Sequence, residues 1–187
     1  MRKPFRRIAA AAAAALALGT GSAIWASTSA SAAPTTPAVK AALLPVCTAG
    51  DLAVWVNYGA VSGAAGTWYY PLEFTNTSDH TCRTWGWPGV SATNANGHQL
   101  GDAAQRLTLY TPHWVNIGAG ATAHALFSYG AAEVSTSGCK PTNASLIKVY
   151  APNQGSADYG FFSLPACTVG GAHVYLRVAA IQPGTNI

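Results

Sequence analysis

Apolar side chains recur at every second position in the clearest parts of the sequence. This period of two is most regular in residues 52–58 and 68–75. Successive side chains of a β-strand point to opposite faces, so the period predicts two strands with one buried face each. Pro71 cannot donate a ladder hydrogen bond, and we therefore expect its strand to lie at a sheet edge or to carry a bulge there. The alternating positions are Leu52, Val54, Val56, Tyr58, Trp68, Tyr70, Leu72 and Phe74.

Shorter apolar runs bounded by turn residues predict the remaining strands. Asn96 and Gly97 suit a type I′ turn, which predicts a hairpin within residues 90–100, and residues 101–106 allow one helical turn at most. No part of residues 33–187 repeats apolar residues at three and four positions. We therefore predict an all-β chain, an immunoglobulin-like antiparallel β-sandwich of about seven to nine strands. The other predicted strands are residues 107–110, 122–129, 146–150, 161–164 and 173–181.

The amino terminus has the three parts of a secretory signal peptide. Residues 1–7 are basic, residues 8–18 are apolar, and Ala30, Ser31 and Ala32 form a cleavage pattern of small residues. An uncleaved membrane anchor would need about 20 apolar residues, and this run is much shorter. The sequence predicts a signal peptide over residues 1–32, cleaved after Ala32 or Ala33, a short linker over residues 33–45 and a single domain over residues 46–187. The expected location is extracellular.

The positive charge of the chain is concentrated in the predicted signal peptide. The chain has 10 Lys and Arg residues against 6 Asp and Glu residues. Four of the basic residues, Arg2, Lys3, Arg6 and Arg7, precede the apolar run, so six basic and six acidic residues remain after cleavage. The mature protein is then formally neutral, and its basic residues form no run. Binding to nucleic acid is therefore not expected, because it depends on clustered positive charge.

Four cysteines in an exported chain predict disulfide bonds rather than a metal or redox site. Cys47 precedes the first predicted strand and Cys82 follows the second, so antiparallel pairing would bring them together. Cys139 and Cys167 have the same relation to the strands at 146–150 and 161–164. We predict the pairs Cys47 with Cys82 and Cys139 with Cys167. The spacing contains no C-x-x-C motif.

No sequence motif for catalysis, cofactor binding or metal binding is present. The six acidic residues are scattered, the five histidines are well separated, and the chain has no G-x-S-x-G elbow, phosphate loop or H-E-x-x-H motif. We therefore expect no enzyme activity, no cofactor and no metal site. The alternative is a secreted hydrolase whose active site combines Asp79 and His80 with residues that the sequence does not identify, because catalytic triads ignore sequence order.

Loop aromatics are the strongest candidates for a binding site. The segment 85–89 reads Trp-Gly-Trp-Pro-Gly, and Tyr110 and Trp114 lie in a second aromatic loop. Exposed rings of this kind stack on sugars or insert into a partner protein. We expect one of Trp85 and Trp87 to pack in the core beside the Cys47 disulfide, as the core Trp of immunoglobulin domains does, and Trp114 to be exposed.

Several short motifs together resemble a known family, the secreted actinobacterial domain of unknown function 4232. The match runs from about Cys47 to Gly184. The resemblance implies an exported, disulfide-bonded β-sandwich of the cell envelope or medium, and it implies no catalytic residue because the family has no assigned activity. The motifs are Cys-Thr at 47–48, Gly-Ala-Ala-Gly at 63–66, Leu-Glu-Phe-Thr-Asn-Thr at 72–77, Gly-Trp-Pro-Gly-Val at 86–90, Cys-Lys-Pro at 139–141 and Gln-Pro-Gly at 182–184. Within them we expect Asn76 to cap the turn that leads to Cys82.

These observations lead to one functional hypothesis and two alternatives. The leading hypothesis is a secreted, non-enzymatic β-sandwich module that binds a cell-envelope or extracellular partner, such as a cell-wall glycan or another extracellular protein, without a stable membrane anchor. The candidate binding residues are Trp85, Trp87, Tyr110 and Trp114. The alternatives are the secreted hydrolase and a purely structural or interaction domain, which would show a large exposed apolar patch.

Overall fold

The computed structural model describes residues 43–134, 138–169 and 174–185. The predicted signal peptide, residues 1–32, lies outside these ranges, as do residues 33–42 of the predicted linker and His173. In the part that is described, no helix is long and apolar enough to cross a membrane.

Strands dominate the described residues, in agreement with the period of two in the sequence. The described ranges contain two 3-10 segments, Ala49–Asp51 and Tyr58–Ala60, and one four-residue α-helix, Ala131–Val134. The strands are β1 (Leu52–Val56), β2 (Ser62–Ala64), β3 (Thr67–Asn76), β4 (Cys82–Thr84), β5 (Gly89–Thr93), β6 (Gln105–Leu107), β7 (Val115–Ile117), β8 (Thr122–Gly130), β9 (Pro141–Asn143), β10 (Leu146–Tyr150), β11 (Ala157–Phe161), β12 (Pro165–Cys167), β13 (Leu176–Ala179) and β14 (Gln182–Pro183).

The strands form one large sheet, one three-stranded sheet and two small ladders. The large sheet has the order β1-β3-β8-β13-β6, with β2 beside β3 and β14 beside β8. The three-stranded sheet has the order β11-β10-β5, and the ladders pair β9 with β12 and β4 with β7. The predicted all-β sandwich is confirmed. Two details differ from the prediction: β13 and β6 are parallel, and the described residues form fourteen strands because several are only two or three residues long.

Inward-facing side chains of the two larger sheets form the hydrophobic core. Leu72 and Phe127 from the large sheet and Ile147 and Val149 from the three-stranded sheet are completely buried. The ring of Phe127 also meets that of Phe162 edge to face, with centroids 5.4 Å apart. Each buried side chain of this size stabilises the fold by roughly 1.5 to 3 kcal/mol relative to exposure. The period of two therefore identifies the core side of β3 correctly at Tyr70, Leu72 and Phe74. Trp68 and Tyr58, which are also among the predicted alternating positions, are exposed.

Strand β3 differs from β1 because both of its faces are buried at the strand centre. In β1, Leu52 and Val56 are buried and Trp55 is exposed, as the alternation predicts. In β3, Glu73 lies on the face opposite the core, yet it is only 2% exposed. The side-chain amide of Asn57 donates to its carboxylate at 2.7 Å. The prediction that β3 buries only one face is therefore wrong at the strand centre, because β3 lies between two neighbours and a polar side chain covers Glu73.

Pro71 lies in a central strand whose register with β8 is unbroken from Thr67 to Thr75, so the prediction of an edge strand or a bulge there is wrong. It stands opposite Leu126 of β8, and β1 lies on the other side of β3. The pairing of β1 with β3 ends at Val56, and the next residue, Asn57, donates its backbone N–H to the Pro71 carbonyl at 2.9 Å. The chain then leaves the sheet through the 3-10 segment Tyr58–Ala60. The missing N–H of Pro71 is tolerated because the neighbouring strand has ended there.

The hairpin within residues 90–100 is present, but its turn is not of type I′. Gly97 has a φ of +77°, whereas Asn96 is not among the residues with positive φ. The Gly97 N–H donates to the Asn94 carbonyl at 2.9 Å, and the Asn94 N–H donates to the His98 carbonyl at 3.0 Å. A turn closed by one left-handed glycine is typical of the longer hairpin loops that contain a bulge. The Asn-Gly pair therefore predicts the hairpin correctly and its turn type incorrectly.

One other predicted element is absent, and three are displaced or shortened along the chain. The helical turn at 101–106 is not formed, and the strand predicted at 107–110 is replaced by β6, which begins at Gln105. The strand predicted at 161–164 is instead β11, which ends at Phe161. Of the strand predicted at 173–181, residues 176–179 form β13. These errors affect short strands whose pairing is set by distant residues, such as the parallel partner of β6.

Both predicted disulfide bonds are confirmed. Cys47 is bonded to Cys82, and Cys139 is bonded to Cys167. Their Cα atoms are 4.9 and 4.8 Å apart, which is within the ordinary range for a disulfide. Cys47 and Cys82 lie just beyond the paired strands β1 and β3, as the strand order predicts. Cys139 and Cys167 are brought together by the antiparallel ladder of β9 with β12, in which Cys167 stands opposite Pro141. In the chain-entropy treatment, each bond stabilises the fold by about 3 to 4 kcal/mol.

Asn76 caps the turn between β3 and β4, as expected. Its side chain is completely buried, and its amide nitrogen donates to the carbonyls of His80 at 2.8 Å and Ile117 at 2.9 Å. Its side-chain oxygen accepts hydrogen bonds from the N–H and the hydroxyl of Ser78. Because every one of these partners lies in the turn or in β7, Asn76 has a structural role.

Candidate functional site

The loop between β4 and β5 carries two tryptophans on a fixed backbone. Between them, Gly86 has a φ of +104°, a conformation that suits glycine, and its carbonyl accepts a hydrogen bond from the Ile181 N–H at 2.9 Å. The indole N–H of Trp87 donates to the Leu107 carbonyl at 2.8 Å. The loop is thus attached both to the end of the large sheet and to β6, and Trp87 has a defined orientation.

A tight turn after β10 faces this loop. The Gln154 N–H donates to the Ala151 carbonyl at 3.0 Å, and Asn153 has a φ of +62°. Proline at the second position and asparagine with positive φ at the third are typical of a type II turn, and Pro152 and Asn153 occupy these positions. The turn therefore follows from two adjacent residues of the sequence.

Two side-chain amides hold the turn against its neighbours. Asn153 donates to the carbonyl of Trp85 at 2.9 Å, and Gln154 donates to the carbonyl of Cys47 at 2.7 Å. The first bond links the turn to the tryptophan loop, and the second links it to the Cys47–Cys82 disulfide. The two loops can separate only if these side-chain hydrogen bonds break.

The two loops enclose a groove of about 430 Å³, which we call the tryptophan groove. Its volume falls within the range of small-molecule sites in proteins. Arg106 on β6 contributes its guanidinium, whose central carbon lies 5.7 Å from the centroid of the Trp87 ring. The groove thus combines aromatic faces, amide groups and one cation. Its lining residues are Trp85, Gly86, Trp87, Gly89, Arg106, Tyr150, Ala151, Asn153 and Gln154.

The prediction that Trp85 or Trp87 packs in the core is wrong. Trp85 is 41% exposed, Trp87 is half-buried, and neither belongs to the buried core. The flanking residues Thr84 and Val90 occupy the buried positions instead, because the chain leaves the sheet between them. The structure brings the two tryptophans together in one groove, which the sequence could not show.

Trp114 and Tyr110 lie outside the lining of the tryptophan groove. Trp114 is 48% exposed, as expected, and the guanidinium carbon of Arg83 lies 4.1 Å from the centroid of one of its rings. Tyr110 is half-buried. Because Thr84 pairs with Val115, Trp85 and Trp114 lie at the same end of the β4-β7 ladder. The two aromatic loops are therefore neighbours, but only one of them forms the groove.

Asp79 and His80 form a contact on the surface of the protein. The Asp79 carboxylate lies 3.3 Å from Nδ1 of His80, and both side chains are exposed. The nearby Ser78 hydroxyl donates to Asn76 and to the His80 carbonyl rather than to the imidazole. Ser78 is therefore held in the turn, and its hydroxyl has no contact with an imidazole that could act as a general base. The described residues contain no group of three metal-ligating side chains.

Among the described histidines, His124 is the one that the fold buries. It lies between apolar residues in β8 and is almost completely buried. Its Nδ1 lies 2.9 Å from the Gly184 carbonyl. This partner fixes the imidazole against β14, away from the tryptophan groove.

Seven of the nine lining residues were not among the predicted site residues, and four of these seven have functional side chains. Arg106 belongs to no run of basic residues, and Tyr150, Asn153 and Gln154 carry no chemical motif. The one available signal is the Pro-Asn pair at 152–153, which predicts a turn directly after a strand. No sequence pattern places that turn beside the tryptophan loop.

Comparison with known families identifies the domain. The model of the family described as Domain of unknown function (DUF4232) matches residues 47–182. The chain belongs to this family. No curated protein and no solved structure matches it. The tryptophan groove lies entirely within the DUF4232 domain, since its lining residues all fall between 85 and 154.

Proposed function

We propose that this DUF4232 domain is a secreted, non-enzymatic module that binds a cell-envelope or extracellular glycan in the tryptophan groove. The observation that carries the proposal is the pair of indoles, Trp85 and Trp87, beside one another in a groove that also presents amide groups. Sugars offer apolar ring faces and hydroxyl groups together, and such ligands suit aromatic rings flanked by hydrogen-bonding side chains.

The fixed geometry of the groove also supports binding. Trp87 is held by its hydrogen bond to Leu107, and the opposite wall is held by the amides of Asn153 and Gln154. A site whose side chains are already positioned loses less conformational entropy when a ligand binds. The groove therefore offers a preformed surface rather than one that must be assembled.

Secretion is supported by the two disulfide bonds together with the basic and apolar amino terminus. Disulfides persist mainly in oxidising compartments. Expression of the full chain in a host with an intact export pathway tests this part. We expect the protein in the culture medium with a mass that corresponds to cleavage after Ala32 or Ala33. Retention of the uncleaved chain inside the cell would contradict it.

Binding is tested with the exported protein purified from the medium. Affinities for a panel of cell-wall and environmental polysaccharides are measured by calorimetry for the wild type and for Trp87→Ala, with Trp114→Ala as the matched control outside the groove. We expect Trp87→Ala to weaken binding at least about tenfold, which corresponds to ~1.4 kcal/mol. Trp114→Ala should leave the affinity within about twofold of the wild type.

Three outcomes decide between the hypotheses. Loss of affinity only in Trp114→Ala would place the site at the second aromatic loop. Binding of another extracellular protein but of no polysaccharide would favour the protein-interaction alternative. Release of reducing sugar that disappears in His80→Ala would favour the hydrolase built on Asp79 and His80.

A further inference from the structure

The charges that line the tryptophan groove are of one sign. Arg106 is the only residue with a formal charge among the described residues that form the lining, and no Asp or Glu is among them. Lys148, on β10, adds a second cation at the edge, where its ammonium lies 5.0 Å from the centroid of the Tyr150 ring. A hydrogen bond with the Tyr150 side chain raises the pKa of Lys148 above its ordinary value. Both cations therefore adjoin aromatic rings of the groove lining.

Among the described residues, neither cation has an acidic partner. In the ranges that the structure describes, the carboxylates form no ion pair with Arg106 or Lys148. The mature chain is formally neutral by its composition, so this positive groove is a local feature rather than a general excess of charge. A guanidinium beside an aromatic ring keeps N–H donors that match the two oxygens of a carboxylate.

From this arrangement we infer that the ligand of the groove is a saccharide that carries a carboxylate, with Arg106 pairing with the carboxylate while the sugar ring packs on Trp85 and Trp87. The inference rests on the proposed function and names the class of its ligand. One planar guanidinium suits one carboxylate, whereas polymers with repeated phosphate groups are bound by larger clusters of cations. Lys148 at the edge attracts the anion without defining its position.

Three related saccharides test the inference. The probes are a disaccharide that ends in glucuronate, its neutral glucose counterpart and the methyl ester of the acid. Calorimetry at low salt with the exported wild-type protein should show at least about tenfold tighter binding of the acid than of the other two. Arg106→Gln should reduce the ratio of the acid and neutral affinities to about one. Arg106→Lys should restore part of the preference, because it retains the charge and lacks the planar fork.

The outcomes separate this inference from the proposed function. If the wild type binds all three saccharides equally and Trp87→Ala abolishes binding, the groove binds glycans and the inference about the carboxylate is wrong. An acid preference that persists in Arg106→Gln also contradicts it, as does preferential binding of a phosphate-bearing wall polymer that Arg106→Gln removes. If Trp87→Ala binds all ligands with wild-type affinity, the proposed function itself fails. Melting curves of each variant establish that it is folded.

Discussion

The two loops that flank β4 use their side chains in opposite ways. The turn before β4 is built around Asn76, which is completely buried and hydrogen-bonded to backbone and hydroxyl groups of the turn and of β7. The loop after β4 carries Trp85 and Trp87, and its large apolar rings remain partly exposed at a groove. A buried polar group with internal partners stabilises the fold, whereas exposed rings on a fixed backbone leave contact surface for a ligand.

The loop before β4 therefore supports the fold, and the loop after β4 carries the candidate site, although only a few residues lie between them. Both loops are adjacent to the Cys47–Cys82 disulfide, since Cys82 begins β4. Substitutions in the first loop should therefore change stability, and substitutions in the second should change binding. The predictions below test that division.

The largest expected effect is that of Asn76→Ala. The substitution removes the amide donor from the buried carbonyl of Ile117 and from the part-buried carbonyl of His80, and a buried group left without a partner costs roughly 1 to 3 kcal/mol. We expect urea denaturation to show a loss of about 3 to 5 kcal/mol in the free energy of unfolding. The matched control is Asn94→Ala, whose side-chain oxygen accepts two backbone N–H groups in an exposed hairpin. Equal losses in the two variants would contradict the importance of burial.

Removal of either disulfide should come next. The double variants Cys47→Ser with Cys82→Ser and Cys139→Ser with Cys167→Ser should each lose about 3 to 4 kcal/mol by denaturation. Only the first pair adjoins the groove, through the hydrogen bond from Gln154 to the Cys47 carbonyl. At a temperature where both variants are folded, glycan affinity should fall more in the first. The reverse order would show that the disulfide does not support the groove.

Substitutions of the tryptophans should affect stability much less. Trp85→Ala removes an exposed ring, and we expect a change within about 0.5 kcal/mol. Trp87→Phe keeps a ring but loses the hydrogen bond to Leu107, so a loss of about 1 kcal/mol is expected. Thermal denaturation measures both. A loss from Trp85→Ala comparable to that of Asn76→Ala would mean that the second loop is scaffold as well.

The smallest expected effect is a pH dependence at Asp51, beside the first loop. Hydrogen bonds from the backbone N–H and the hydroxyl of Thr48 lower the pKa of Asp51. A carboxylate whose pKa is lower in the folded state contributes stability above its unfolded value of about 3.9, and this contribution is lost as the pH falls through the folded value. Asp51→Asn should therefore lower the melting temperature slightly at pH 7, and the difference should vanish in strong acid. If the difference in melting temperature between the wild type and Asp51→Asn grew as the pH fell, the lowered pKa of Asp51 would not explain it.

The parts of the fold that the sequence predicts well are governed by local chemistry. The period of two identifies β1 and β3, shorter apolar runs identify β8 and β10, and the cysteine positions relative to paired strands predict both disulfides. The role of Asn76 is recognisable because the side chain of an asparagine at the end of a strand commonly hydrogen-bonds the backbone of the following turn. In each case the deciding residues are close in sequence or belong to adjacent antiparallel strands.

The candidate site is less predictable because it depends on long-range packing. Arg106 reaches Trp87 through the parallel pairing of β6 with β13. The turn that carries Asn153 meets the tryptophan loop because β10 pairs with β5, which places Tyr150 opposite Gly89. The exposure of Trp85 is equally invisible in sequence, since a tryptophan near a disulfide in a β-sandwich is often a core residue. The sequence thus identifies the aromatic loops as candidates, whereas the groove formed by one of them becomes visible only in the folded structure.

The most direct test of glycan binding in the groove is an NMR titration of the indole N–H signals of the exported protein. Trp85→Phe and Trp87→Phe assign the two groove signals, and Trp114→Phe assigns the signal of the neighbouring loop. As an acidic saccharide saturates the protein, the Trp85 and Trp87 signals should shift while the Trp114 signal stays in place. A shift confined to Trp114, or saturation without any change at Trp85 and Trp87, would contradict the account.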